Sequence, residues 1–178
     1  MFIMKAVVIH GFEGSADSNW FPWIEAELVG KGYEVFNETF PNADHPNLNE
    51  VLEFYRPQMN DVDLVIGHSL GAFIALKLSE EFKFTKLVLV APAIGTLNYP
   101  YMYENWEGSD VDSLKSFIGN GFNSNLLKVD QGFALFSLDD PYVPLVLREL
   151  LPENWIVSAV EGKHHFQEEV QYEILDVL

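Results

Sequence analysis

Val62-Asp63-Leu64-Val65-Ile66-Gly67-His68-Ser69-Leu70-Gly71-Ala72-Phe73-Ile74-Ala75-Leu76-Lys77-Leu78 holds two elements and the turn that joins them. Residues 62–66 form a short apolar run that reads as a buried strand. The apolar stretch after Ser69 reads as a helix. Between them Gly67-His68-Ser69-Leu70-Gly71 fits G-x-S-x-G. A serine on a sharp strand-to-helix turn is pushed out above the sheet, where its hydroxyl can attack a carbonyl. Glycine on either side avoids a collision as the backbone reverses and tolerates strained dihedrals. The five residues alone are a weak signal, since roughly one chain of this length in twenty carries them by chance. The strand before them and the helix after them give the match its weight.

Working outward, strands and helices alternate. Strands are expected at Lys5 to Ile9, Tyr33 to Phe36, residues 62–66, Lys86 to Ala91, Gly132 to Ser137 and Trp155 to Val160. Helices are expected at Trp20 to Gly30, Leu48 to Met59, after Ser69, at Tyr142 to Leu151 and at Phe166 to Leu178. Near-continuous apolar strands separated by helices imply a mostly parallel sheet covered on both faces, a three-layer α/β/α sandwich of about six strands. No repeat, linker or low-complexity stretch divides the 178 residues, so residues 1–178 read as one domain. Residues 93–130 break the rhythm. They include Asn98-Tyr99-Pro100-Tyr101-Met102-Tyr103-Glu104-Asn105-Trp106, read either as a pocket wall or as an irregular connection packed on the core.

Composition narrows the function classes. At 48% hydrophobic residues the chain can fill a core. It has no cysteine, which removes disulfides, thiolate metal sites and a cysteine nucleophile. The net charge of −17 disfavours nucleic acid and anionic membrane surfaces as partners. Met1 to Ile9 reads as a first core strand rather than a signal peptide, and no run is long enough for a membrane span. A cytoplasmic protein is the expectation. H-E-x-x-H, Walker A and an early G-x-G-x-x-G are absent, so neither a metal nor a cofactor is expected.

A serine hydroxyl needs a general base, and the base needs an orienting acid. On a sheet of this kind the chain order is Ser, then Asp or Glu, then His, each after a strand end. Leu138-Asp139-Asp140-Pro141 leaves the strand at 132–137. Pro141 presses Asp140 into an extended backbone, which favours Asp140 and leaves Asp139 open, one of the two serving as helix cap. Glu161-Gly162-Lys163-His164-His165-Phe166 follows the last strand. Neighbouring side chains in an extended stretch point opposite ways, so only one of His164 and His165 can serve. Backbone N–H groups of Leu70 and Phe12 are the expected oxyanion donors, with Gly11 allowing close approach. His10 reads as shaping the first loop and His68 as packing. Phe12, Trp20 and Tyr142 are expected to line the substrate pocket.

The combination of Val7-Val8-Ile9-His10-Gly11-Phe12, Asn19-Trp20-Phe21-Pro22-Trp23-Ile24, Gly67-His68-Ser69-Leu70-Gly71, Leu87-Val88-Leu89-Val90-Ala91-Pro92, Ser137-Leu138-Asp139-Asp140-Pro141-Tyr142-Val143-Pro144 and His165-Phe166-Gln167 spans nearly the whole chain. It resembles the small serine hydrolases of the α/β-hydrolase type, the family of the retinoblastoma-binding serine hydrolase and its YdeN-type bacterial relatives. The resemblance implies a minimal α/β-hydrolase fold with little or no cap. It also implies Ser69 as nucleophile, Asp140 as orienting acid and His165, the histidine before Phe166, as base. His164 stands where the family pattern has glycine. The expected activity is hydrolysis of a small-molecule ester, with amides and small peptides as related substrates. Alternatives are an acyltransferase using the same residues or a binding module that retains the fold.

Overall fold

The computed structural model describes residues 3–95, 111–119, 121–167 and 169–178. Six strands form one open sheet: β1 (Met4–Ile9), β2 (Tyr33–Asn37), β3 (Leu64–His68), β4 (Phe84–Val90), β5 (Val129–Ser137) and β6 (Ile156–Val160). Their order is β2-β1-β3-β4-β5-β6, and every neighbouring pair is parallel. The helices are α1 (Phe21–Gly30), α2 (Leu48–Tyr55), α3 (Leu70–Glu81), α4 (Val111–Ile118) and α5 (Glu169–Val177). The expected three-layer α/β/α arrangement is the one found.

Strand alternation divides the interior into two cores. Val7, Ile9, Val65, Leu87 and Leu89 point to one side, where α2, α3 and α4 supply Val51, Phe73, Leu76 and Phe117. Ala6, Val8, Ile66, Val88 and Val90 point to the other, where α1 and α5 supply Phe21, Ile24, Leu28, Val170 and Ile174. The five residues of β3 are all buried, as a central strand covered on both faces requires. Asn47 starts α2 by accepting hydrogen bonds from the N–H groups of Asn49 and Glu50.

Three local differences from the sequence reading have physical causes. Residues 142–151 are not an α-helix; a 3-10 segment covers only Leu145–Leu150. Pro144 is extended there (φ −71°, ψ 139°) and disfavours helix at Val143 before it. The last helix begins at Glu169 rather than near Phe166, because Phe166 has φ +46° and its N–H closes a turn onto the Gly162 carbonyl. Within 93–130, α4 was not anticipated, although Val111, Leu114, Phe117 and Ile118 have the spacing of an amphipathic helix. The aromatic run at 98–106, read as pocket wall or packed connection, lies outside the described residues, and with it the question of a cap.

The start of α3 is pressed against the end of β1. A Cβ placed on Gly71 would lie 2.1 Å from the Ile9 carbonyl oxygen and 2.5 Å from that of His10. Both obstacles are main chain and cannot rotate away. Gly71→Ala is therefore expected to lower the unfolding free energy by about 3 kcal/mol or more, read from denaturant unfolding. A loss under about 1 kcal/mol would mean that β1 and α3 part without cost.

Candidate active site

The carboxyl ends of β1, β3, β5 and β6 converge on one place, where ligands collect on open parallel sheets. Ser69 follows β3 directly and adopts φ +53°, ψ −118°, outside the regions open to ordinary L-residues. Its backbone is held on both sides. The Ser69 N–H donates to the Val90 carbonyl at 2.9 Å, and the Ser69 carbonyl accepts from Ala72 and Ala93, each at 3.1 Å. A Cβ on Gly67 would meet the Gly71 carbonyl oxygen at 2.5 Å. Only glycine lets the strand reverse into α3 at this separation.

Three side chains then form a chain of hydrogen bonds. His164 Nε2 is 2.9 Å from Ser69 Oγ, and His164 Nδ1 is 2.9 Å from Asp140 Oδ2. A carboxylate only accepts, so Nδ1 carries the proton. Nε2 is left as acceptor for the serine hydroxyl. The side chains of His164 and Asp140 are 6% and 1% exposed, so bulk water does not compete for these bonds. Asp140 also caps the following loop, its Oδ1 accepting from the N–H groups of Tyr142 and Val143. The sequence reading divided capping and histidine contact between the two aspartates; Asp140 makes both contacts.

The histidine differs from the one the resemblance assigned. His164, not His165, lies between Ser69 and Asp140. His165 is exposed, its ring centroid 5.3 Å from that of His164. The cause is local: Lys163 takes φ +51°, so the chain after β6 turns instead of continuing extended. That turn directs His164 inward and His165 outward.

Two further residues fix this turn. Asp139 accepts from the backbone N–H groups of Gly162 and Lys163 at 3.0 and 2.9 Å. The bonds from Lys163, Ser137 and Gly162 hold its carboxyl down at about 2. His68, read as packing, does more than pack: its Nε2–H donates to the His164 carbonyl at 2.8 Å. His10 also has a structural part. Its Nδ1–H donates to the Gly11 carbonyl while Nε2 accepts from Phe40 N–H, which defines a neutral ring stacked on Phe40. These contacts depend on three-dimensional proximity across as many as 96 residues, and no spacing rule announces them.

The other expected site residues divide. Leu70 is the first residue of α3, beside Ser69. Phe12 is half-buried in the β1–α1 loop, and a Cβ on its neighbour Gly11 would lie 2.9 Å from Ser69 Cβ. Tyr142 meets His164 edge to face, with centroids 5.2 Å apart. Trp20 is corrected from pocket lining to core: it is 2% exposed and packs on Phe21 and His68 in the cluster beneath α1 and α5. Large aromatics near a strand end serve either purpose, and burial decides for the core here. Among the described residues no group of His, Asp or Glu has the geometry to hold a metal ion. No described helix is long and apolar enough to cross a membrane.

Comparison with known proteins gives this geometry a family. Residues 6–176 match the family described as serine hydrolase. The chain belongs to that family. Among relatives of this serine hydrolase, YdeN of Bacillus subtilis (strain 168) is 23% identical over 183 residues, covering 98% of this chain and 92% of YdeN. The crystal structure of the B. subtilis ydeN product superposes with a TM-score of 0.75 at 19% identity, covering 98% and 97% of the two chains. Mouse alpha/beta hydrolase domain-containing protein 10 superposes with a TM-score of 0.73 at 15% identity, over 96% and 86%. The serine hydrolase therefore has the α/β-hydrolase fold and is a hydrolase.

His68 also makes folding sensitive to pH. Burial first, then the proximity of His164, push its imidazole from 6.5 down to about 3. Burial moves His10 in the same direction. A ring held neutral in the fold takes up its proton first in the unfolded chain. Its contribution is complete above about 6.5 and is lost as pH falls toward 3, at about 1.4 kcal/mol per pH unit. Unfolding free energy measured from about pH 7 to pH 4 should therefore fall less steeply in His68→Asn than in the parent. Equal slopes would assign the proton uptake to other groups.

Proposed function

We propose that the protein hydrolyses carboxylic esters through an acyl-enzyme on Ser69, with His164 as general base and acid and Asp140 as orienting acid. The observation that carries the reading is the continuous chain from Ser69 Oγ through His164 to Asp140 Oδ2, each bond 2.9 Å long. In the first step Ser69 Oγ attacks the ester carbonyl as His164 Nε2 takes its proton. The imidazolium, held through Nδ1–H on Asp140, returns that proton to the departing alkoxide. Water then repeats the sequence on the acyl-serine: His164 removes its proton, the carbonyl is attacked, and Ser69 leaves reprotonated.

The negative charge that develops on the carbonyl oxygen needs donors already in place. Leu70 N–H is suited to this, because the first N–H groups of a helix have no intrahelical acceptor. Phe12 N–H is the second donor in this reading, since Gly11 brings the β1–α1 loop against Ser69. Removing one such donor in related chemistry costs about 100- to 1,000-fold in turnover. In this reading Tyr142, edge-on to His164, and Phe12, beside Gly11, line the substrate pocket.

A fluorophosphonate probe should label the protein at Ser69, located by peptide mass spectrometry, and Ser69→Ala should abolish labelling. An unlabelled parent protein would favour a binding module on this fold; labelling that persists in Ser69→Ala would refute the nucleophile. On a short acyl ester, His164→Ala is expected to lower kcat roughly a thousandfold or more, and His165→Ala less than about tenfold. The reverse order would return the role of base to His165.

A further inference from the structure

Asp139 lies at the solvent edge, does not reach Ser69, and is used by none of the steps above. Its neighbourhood is nonetheless built. Oδ1 collects three donors: the Ser137 hydroxyl at 2.7 Å, the Gly162 N–H at 3.0 Å and the Lys163 N–H at 2.9 Å. Ser137 is 3% exposed and closes β5, so it ties the carboxylate to the rigid end of the sheet. The two amides belong to the residues immediately before His164. One of them, Lys163, holds φ +51°, a conformation that costs a non-glycine residue energy and relaxes unless neighbours impose it. Hydrogen bonds from N–H groups to an ionised carboxylate are among the stronger ones available for that purpose.

We propose that Asp139 is a positioning residue: by clamping the Gly162 and Lys163 amides to the end of β5, it imposes the turn that aims His164 at Ser69 and Asp140. Adjacent carboxylates thus share one task. Asp140 holds the ring of His164, and Asp139 holds the backbone that presents it. His68 completes the grip through the His164 carbonyl, so the histidine is fixed by the two amides before it, by its ring and by its own carbonyl. Without Asp139, Lys163 is free to return to negative φ. The direction of His164 is then no longer fixed by the turn. The clamp persists across neutral pH, because its three donors keep the carboxylate ionised well below the usual range for aspartate.

The effect on turnover rests on the hydrolase reading above; the clamp itself does not, so the two are tested separately. The clamp is read by NMR, as the downfield proton on His164 Nδ1 bonded to Asp140. That resonance should be present in the parent and in Asp139→Asn, whose amide oxygen can still accept both N–H groups. It should be broadened or lost in Asp139→Ala at unchanged far-ultraviolet circular dichroism. An undisturbed resonance in Asp139→Ala overturns the proposal whether or not the protein is a hydrolase. The catalytic consequence is read on a short acyl ester. Asp139→Ala should lower kcat by about 10- to 100-fold with KM within about threefold, and Asp139→Asn should recover most of the loss. A loss confined to KM, or an equal kcat loss in both variants, would overturn the positioning role.

Discussion

Ser69 sits at φ +53°, ψ −118°, and the arrangement around it follows from keeping a non-glycine residue there. Such a conformation costs on the order of 1–3 kcal/mol and persists only where the surroundings over-determine it. They do so in three ways. Gly67 and Gly71 let β1, β3 and α3 approach to distances that a single methyl group would forbid. The Val90 carbonyl holds the Ser69 amide from β4, and Ala93 holds its carbonyl from the segment that follows. The helix behind it is buried almost all round, from Leu70 to Ser79, so it cannot recoil. The strain is thus borne by a packed sheet and helix instead of a loop, and it leaves the hydroxyl in a fixed direction.

A fixed serine is useful only if its partner is equally fixed, and the partner arrives on a turn. A turn has none of the ladder that secures Ser69. The protein replaces the ladder with polar clamps drawn from the carboxyl ends of two other strands, β5 and β3. Asp139 and Asp140 leave β5 and address consecutive parts of the β6 turn, while His68 leaves β3 and addresses the His164 carbonyl. The parallel order β3-β4-β5-β6 places all three donors and acceptors at the same sheet edge. The topology therefore does for the histidine what close packing does for the serine.

This division explains what could be read from residues alone. The strands were legible because buried parallel strands are continuous apolar runs, and the turn at Ser69 because glycine and serine at fixed offsets have a steric meaning. Asp140 was legible through Pro141, whose ring restricts the residue before it. The choice between His164 and His165 was not legible. Alternation correctly implied that one of the pair faces the serine, but which one depends on the backbone of Lys163. A lysine gives no hint of positive φ; that angle is imposed by Asp139, 24 residues away in sequence. Pro144 carried a readable signal against a helix running on from Tyr142, and the α4 spacing was there to be found. The second roles of His68 and Asp139 exist only as contacts across the fold.

Four histidines, His10, His68, His164 and His165, act on one another, and the proposed chemistry needs the ring of His164 to charge. If His68 were protonated, its positive ring, 5.0 Å from that of His164, would oppose imidazolium formation on His164 by about 3 kcal/mol at an effective dielectric constant near 20. That is a penalty of more than a hundredfold on any step that needs the imidazolium. Burial prevents it by holding His68 neutral down to about pH 3. His10 is held neutral as well, through an acceptor role at Nε2 that a protonated ring could not fill. Asp140, in contrast, places its carboxylate directly against His164 Nδ1. The same burial that makes His68 costly on acidification therefore keeps a competing positive charge away from the ring that faces Ser69. The loss of stability on acidification is the physical counterpart of keeping His68 neutral beside that ring.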